Sequence, residues 1–140
     1  MVKMYPYYKY KMPRTQKIYS RNPTTRQKYC IDVFGDTLGE NSLTTAFPCN
    51  KRPSQNFAYN RKTKQIRNKY SNKCLDLERM RPIVQRTCNP KSKTQKWTRN
   101  KKHWKSAYDK RCLDVEAGKY DNGRLISYKC HKGPNQRFSA

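Results

Sequence analysis

Cys30-Ile31-Asp32, Cys74-Leu75-Asp76 and Cys112-Leu113-Asp114 are one tripeptide pattern written three times. Each copy is followed by a second cysteine and then by a Gln-x-aromatic: Cys49 with Gln55-Asn56-Phe57, Cys88 with Gln95-Lys96-Trp97, and Cys130 with Gln136-Arg137-Phe138. The copies start 44 and 38 residues apart. A self-similar period of this length marks a supersecondary unit that cannot bury its apolar face alone and must pack against its copies. The register also reaches upstream: Ile66 and Trp104 lie eight residues before their Cys-x-Asp, and Tyr70 and Tyr108 four before.

Bulk composition points the other way. Leu, Ile, Val and Phe together supply 19 of 140 residues, and the formal net charge is +24, a combination usual in unfolded chains. Random polar sequence does not place cysteines and aromatics in register three times, so we read a folded domain. Eleven tyrosines and two tryptophans add apolar area that the aliphatic count misses. One domain is expected at this length, burying roughly 68% of its unfolded surface. So thin an apolar content needs reinforcement.

The six cysteines are the candidate reinforcement. They fall two per repeat, 19, 14 and 18 residues apart, and an even count at regular spacing reads as a disulfide framework. Three bridges within the repeats are the simplest of the fifteen pairings; reduced, buried thiols are the alternative. No Cys-x-x-Cys exists, and His103 and His131 do not sit at ligand spacing, so neither a metal site nor a cofactor is expected. Disulfides favour an oxidising compartment, yet Met1–Arg21 has no apolar stretch that would serve as a secretory signal. A signal removed earlier, another export route and oxidation inside a particle all stay open. No segment is apolar enough to span a membrane.

Residues 1–16 alternate tyrosine and lysine, with two prolines and no acid, and read as a basic, flexible arm. From about Lys17 short strands alternate with polar turns and no helical period is present. Gly35-Asp36, Gly39, Gly118 and Asp121-Asn122-Gly123 punctuate the first and third copies. Asn122-Gly123 predicts a hairpin turn with positive φ at both residues. The second copy has a shorter connection, Arg79-Met80-Arg81-Pro82. Three all-β units of four strands each predict a closed barrel capped by hairpins, which also removes exposed sheet edges. Val33, Leu77, Val115, Phe57, Trp97 and Phe138 are expected to point inward, with each glutamine bracing a turn.

At these residues the chain resembles the ricin B-type lectins, carbohydrate-binding β-trefoils with a Gln-x-Trp in each of three lobes. The likeness covers about residues 17–140, with lobes of about 17–58, 59–98 and 99–140. Phe57 and Phe138 depart from the family tryptophan, and the middle lobe is shortened. The resemblance implies pairing within each lobe: Cys30 with Cys49, Cys74 with Cys88, and Cys112 with Cys130.

It also implies where galactose-type sugar would bind. Family sites combine the Asp of Cys-x-Asp, an aromatic two residues before the second cysteine, and an Asn just before the Gln. A carboxylate accepts strong hydrogen bonds from vicinal hydroxyls, the aromatic face covers the C–H side of a pyranose, and an amide donates and accepts at once. Lobe three is the most complete, with Asp114, Tyr128, Asn135 and Gln136, though Ile126 stands where family sites often have glutamine. Lobe one keeps Asp32, Phe47 and Gln55 but has Ser54 and Thr45 at the amide positions. Lobe two keeps Asp76 but has Arg86 for the aromatic and Thr94 for the asparagine, and is not expected to bind neutral sugar. The competing role for each aspartate is turn stabilisation.

Charge is segregated. Met1–Ile31, Asn41–Leu75 and Arg79–Tyr108 contain no acid. The basic residues Lys51, Arg52, Arg61, Lys62, Lys64, Arg67, Arg99, Lys101 and Lys102 are expected to gather around the barrel rather than at the pockets. Attraction for a polyanion such as a sulfated glycan or nucleic acid follows, with steep salt dependence. Tyr5, Tyr7, Tyr8 and Tyr10 among the arm lysines suit stacking on bases. A structural particle protein using the fold as scaffold is the third reading. With two histidines, no Ser/His/Asp arrangement and no phosphate-cradling loop, an enzyme is not expected.

Overall fold

Each Cys-x-Asp lies on a strand buried on both faces in the computed structural model, which describes residues 14–79 and 81–140. Alternate side chains of a strand face opposite sides. Ile31, Leu75 and Leu113 therefore enter the common core, while the cysteine and aspartate on either side face the downstream cysteine and glutamine.

Twelve strands are present among the described residues: β1 (Thr15–Gln16), β2 (Tyr19–Arg21), β3 (Lys28–Val33), β4 (Ser42–Pro48), β5 (Phe57–Asn60), β6 (Gln65–Asn68), β7 (Lys73–Leu77), β8 (Ile83–Thr87), β9 (Trp97–Asn100), β10 (His103–Ser106), β11 (Cys112–Val115) and β12 (Gly123–Tyr128). They form one curled sheet. No helix among the described residues is long and apolar enough to cross a membrane.

Register repeats from lobe to lobe. Tyr19, Arg67 and Lys105 pair with Cys30, Cys74 and Cys112, which in turn pair with Phe47, Arg86 and Tyr128. Strands β4, β8 and β12 meet one another: Leu43 pairs with Val84, Arg124 with Thr45, and Pro82 bridges to Ile126. Two lobe-to-lobe hairpins are continuous, β5–β6 and β9–β10. The third is assembled from distant segments, with Tyr19 and Ser139 exchanging backbone bonds of 2.9 and 2.8 Å.

Three equivalent triplets fill the interior: Ile18, Ile66 and Trp104; Ile31, Leu75 and Leu113; Phe57, Trp97 and Phe138. None is more than 1% exposed. Val33, Leu77 and Val115 are buried as expected. Lobe closure also repeats, since Trp97 N donates to Lys64 O and Phe138 N to Lys102 O, both at 2.8 Å, while Phe57 pairs with Gln16. The bridges are Cys30–Cys49, Cys74–Cys88 and Cys112–Cys130, each with Cα atoms 5.0 Å apart.

Two local expectations change. Thr15 and Gln16, read from sequence as part of the arm, form β1 against Ala58 and Phe57, because Gln16 fills the place that Lys64 and Lys102 hold in the other lobes. Residues 1–13, with Tyr5, Tyr7, Tyr8 and Tyr10, lie outside the described residues. The Asn122-Gly123 turn does not have positive φ at both positions: Asn122 does, at 60°, but Gly123 does not. Glycine is required there by close approach instead, since a Cβ would lie 1.6 Å from the Lys119 carbonyl oxygen.

Candidate functional site

The three glutamines make the same clamp. Nε2 of Gln55, Gln95 and Gln136 donates to Oδ2 of Asp32, Asp76 and Asp114 at 2.9, 3.0 and 2.7 Å. Each Nε2 also reaches a backbone carbonyl, of Pro48, Thr87 or Lys129. Each Oε1 accepts the backbone N–H after the second cysteine, from Asn50, Asn89 or His131, at 2.8 Å. A short helical turn carries every glutamine: Pro53–Gln55, Lys93–Gln95 and Pro134–Gln136. The amides are at most 2% exposed, and both Nε2 hydrogens of each are committed. Gln55 and Gln136, expected among the sugar-contacting groups, are buried behind the carboxylates they hold and do not line the pockets.

Lobe three has a pocket of about 310 Å³ lined by Asp114, Ile126, Tyr128, His131, Asn135 and Arg81, with Glu116 and Ala117. Asn135 Nδ2 donates to Asp114 Oδ1 at 3.0 Å and to the Val115 carbonyl at 3.1 Å. His131 Nε2 stands 3.6 Å from Asp114 Oδ2. Its Nδ1 accepts the Gly133 N–H at 2.9 Å, which leaves Nε2 to carry the ring proton toward the carboxylate. Burial pushes the Asp114 carboxyl above the usual carboxylate range, opposed by Gln136, His131 and Asn135. Tyr128 is 43% exposed, a ring face open to a ligand. Ile126 pairs with Asp114 across the strands, so the wall beside the carboxylate is apolar where family sites offer an amide.

Lobe one forms a pocket of about 250 Å³ with Asp32, Phe34, Phe47, Thr45, Asp36, Arg52 and Asn122 in its lining. Asp32 Oδ1 accepts the Val33 N–H at 2.7 Å. Ser54, at the asparagine position, turns away from Asp32 and donates to Asp36 Oδ1 at 2.9 Å, and Arg52 pairs with the other Asp36 oxygen. An internal ion pair thus stands where the family amide would be. Arg52, expected on the barrel surface, lines this pocket.

Lobe two answers its carboxylate with its own cation. Arg86 places Nη1 3.6 Å from Asp76 Oδ2 and donates from Nη2 to Glu78 at 2.6 Å. A guanidinium lies where the other lobes present a ring, so there is no apolar face for a pyranose. Asp76 Oδ1 is buried with no partner.

A turn from a neighbouring lobe reaches each of these three places. The residues at these turns share positive φ: Asn41 at 64°, Arg81 at 88° and Asn122 at 60°. Asn41 Oδ1 accepts from Arg86 Nε at 2.6 Å, Arg81 lies over the Tyr128 ring with Cζ 5.8 Å from its centroid, and Asn122 lines the lobe-one pocket. Arg81 sits one register position later than the two asparagines, as the shorter turn requires.

Sequence comparison agrees with this geometry. The profile of the ricin-type beta-trefoil lectin domain matches residues 17–138. The chain belongs to this family of carbohydrate-binding domains. No curated protein matches the lectin in sequence. Among solved structures, the C-half of the earthworm R-type lectin in complex with GalNAc is similar, with 20% identity and a TM-score of 0.71 over 89% of this chain and 97% of that one. A non-toxic homologue of type II RIPs from Momordica charantia (bitter gourd), in complex with alpha-methyl-D-galactoside, has 18% identity and a TM-score of 0.77 over 92% of this chain. A mosquitocidal holotoxin has 16% identity and a TM-score of 0.76 over 91%. The lectin spans 48% of the bitter gourd protein and 17% of the holotoxin.

The remaining basic candidates of the lectin sit on the hairpins. Arg61, Lys62, Lys64 and Arg67 are exposed on β5–β6, and Lys101 and Lys102 on β9–β10. Lys51 is exposed beside Arg52. Arg99 is partly occupied, lying 5.1 Å from the Trp104 ring centroid. Sequence reading missed His131, Phe34, Asp36, Arg81 and Asn122. Only His131 carried a usable signal, because it follows the second cysteine where the other copies have Asn50 and Asn89.

Proposed function

We propose that this lectin domain binds galactose- or N-acetylgalactosamine-type glycans, with lobe three as the principal site and lobe one as a weaker one. The observation that carries the reading is the Asp114 carboxylate held by Gln136 and Asn135 opposite an exposed Tyr128 ring. Vicinal hydroxyls donate to Asp114, whose charged acceptor makes the stronger bonds. Tyr128 covers the C–H face of the pyranose. Asn135, with its Nδ2 committed, offers its carbonyl oxygen to a hydroxyl. The earthworm and bitter gourd proteins, solved with GalNAc and alpha-methyl-D-galactoside, support the choice of sugar class. The net charge of +24 adds long-range attraction for anionic partners that salt weakens.

A glycan array at two salt concentrations, beside a nucleic-acid titration, tests this. Binding to neutral galactosides that persists in high salt and is lost in Asp114→Ala supports the lobe-three site. Binding that vanishes with salt and ignores Asp114→Ala favours a polyanion partner held by the hairpin cations.

A further inference from the structure

Four arginines stand at or beside the three sites, and three of them are neutralised within the protein. Arg52 pairs with Asp36, Arg86 with Glu78 and Asp76, and Arg124 with Glu116 through bonds of 3.1 and 3.2 Å. Arg81 has no acidic partner among the described residues. It lines the lobe-three pocket and lies over Tyr128, the ring offered to the sugar.

Its backbone is held for this placement. Arg81 has φ of 88°, a region costly for a residue with a Cβ and tolerated where surrounding structure fixes it. Its N–H donates to the Glu78 carbonyl at 3.2 Å, and its carbonyl accepts the Ser127 N–H at 2.9 Å. Ser127 lies between Ile126 and Tyr128, so the Arg81 backbone is fixed to the strand that forms the pocket wall. The equivalent turns of the other lobes bring the neutral Asn41 and Asn122 to their neighbours' sites.

We infer that the lobe-three pocket selects galactose-type sugars carrying an anionic substituent, a sulfate or a carboxylate, with Arg81 as the residue that reads the charge. The inference rests on lobe three being the sugar site. Asp114 takes the ring hydroxyls and Arg81, over the Tyr128 ring in the same pocket, takes the anion. The two charges divide the ligand rather than cancel, because Asp114 is turned toward Gln136, Asn135 and His131. A planar guanidinium suits both oxyanions, making paired N–H···O bonds to either.

Isothermal titration with methyl galactoside, a 3-sulfated galactoside and a sialylated lactose tests this at physiological salt. The wild type, Arg81→Gln, Asp114→Ala and the charge control Lys91→Gln are compared, with thermal melts to verify folding. At least one acidic sugar should bind roughly fivefold tighter than the neutral one, the scale of an exposed ion pair. Arg81→Gln should abolish that preference, whatever it does to the neutral sugar, while Lys91→Gln should leave the preference unchanged. Preference for only the sulfated or only the sialylated ligand identifies which anion is read. Equal affinity for neutral and acidic sugars, or a preference that survives in Arg81→Gln, overturns the inference while neutral binding lost in Asp114→Ala preserves the site. Failure to bind any galactoside overturns both.

Discussion

Asn135 Nδ2 donates to Asp114 Oδ1 at 3.0 Å, a bond for which Ser54 and Thr94 provide no counterpart in the other lobes. Ser54 is committed to Asp36, and Thr94 Oγ1 bonds Ser92 at 2.8 Å. Asn135→Ala should leave Asp114 Oδ1 without its amide donor and remove one ligand acceptor. Galactoside affinity should fall about tenfold, equivalent to about 1.4 kcal/mol, with little change in melting temperature because Asn135 is only partly buried. Titration calorimetry beside a thermal melt reads both.

The glutamine clamp should matter to stability in all three lobes, whether or not the lobe binds. Gln95→Ala in lobe two takes the amide donor from Asp76 Oδ2 and the Thr87 carbonyl, and the acceptor from the Asn89 N–H and the buried Gln65 amide. A loss of about 2–4 kcal/mol is expected, and Gln136→Ala should cost a similar amount. Urea denaturation checks the pair, and Gln95→Ala should spare galactoside binding while Gln136→Ala weakens it.

Protonation of Asp114 should act on folding and binding with opposite signs. Its folded carboxyl titrates above the usual carboxylate range because burial penalises the charge. The folded chain therefore holds this proton more tightly than the unfolded chain. Its contribution to stability is greatest below the unfolded value and is lost as pH rises through the folded one. Ligand hydroxyls need the ionised acceptor, so galactoside affinity should decline as pH falls through the same raised value. Affinity measured from neutral to mildly acidic pH should drop earlier than for an ordinary carboxylate, and Asp114→Asn should flatten the curve.

Reduction should unfold the domain in steps the bridges define. Each closes a loop of 14 to 19 residues, and a loop of about 15 residues contributes about 3 kcal/mol in the chain-entropy account. Replacing Cys74 and Cys88 together with serine should lower stability by about that amount. Alkylation followed by intact mass should label no cysteine among the six before reduction and all of them after.

Gly123→Ala should destabilise the third lobe and reach the first. A Cβ at this position would lie 1.6 Å from the Lys119 carbonyl, so the turn must move, at a cost above about 2 kcal/mol. Asn122 moves with it, and Asn122 lines the lobe-one pocket. Binding assigned to lobe one should weaken in this variant more than in Asn122→Ala, a comparison made by titration in an Asp114→Ala background.

The fold was legible because its decisive contacts recur. Each Cys-x-Asp, second cysteine and Gln-x-aromatic sits at equivalent register, so the inward Phe57, Trp97 and Phe138 and the sulfur pairs were readable from the repeat, while Ile18, Ile31, Leu75 and Leu113 were not singled out. The sites were legible only within a lobe. Asp114, Tyr128 and Asn135 line one pocket, while Arg81 and Asn122 arrive from neighbouring lobes on turns of unequal length, which no spacing rule aligns. Arg52 looked like surface charge because its partner Asp36 is 16 residues away. Glycine at 123 was readable, but its cause was not: a carbonyl in close approach leaves no trace in sequence.

The hairpin formed between Tyr19 and Ser139 bears on how this chain matures as it is made. The middle and third lobes close their entering hairpins from neighbouring residues, whereas the first lobe waits for a bridge to Ser139, made about 120 residues later, the costliest kind of loop to shut. During synthesis the first lobe must therefore stay unzipped along one side until Ser139 emerges. Its sulfur link, formed within 19 residues, is available to hold that lobe's shape through the interval.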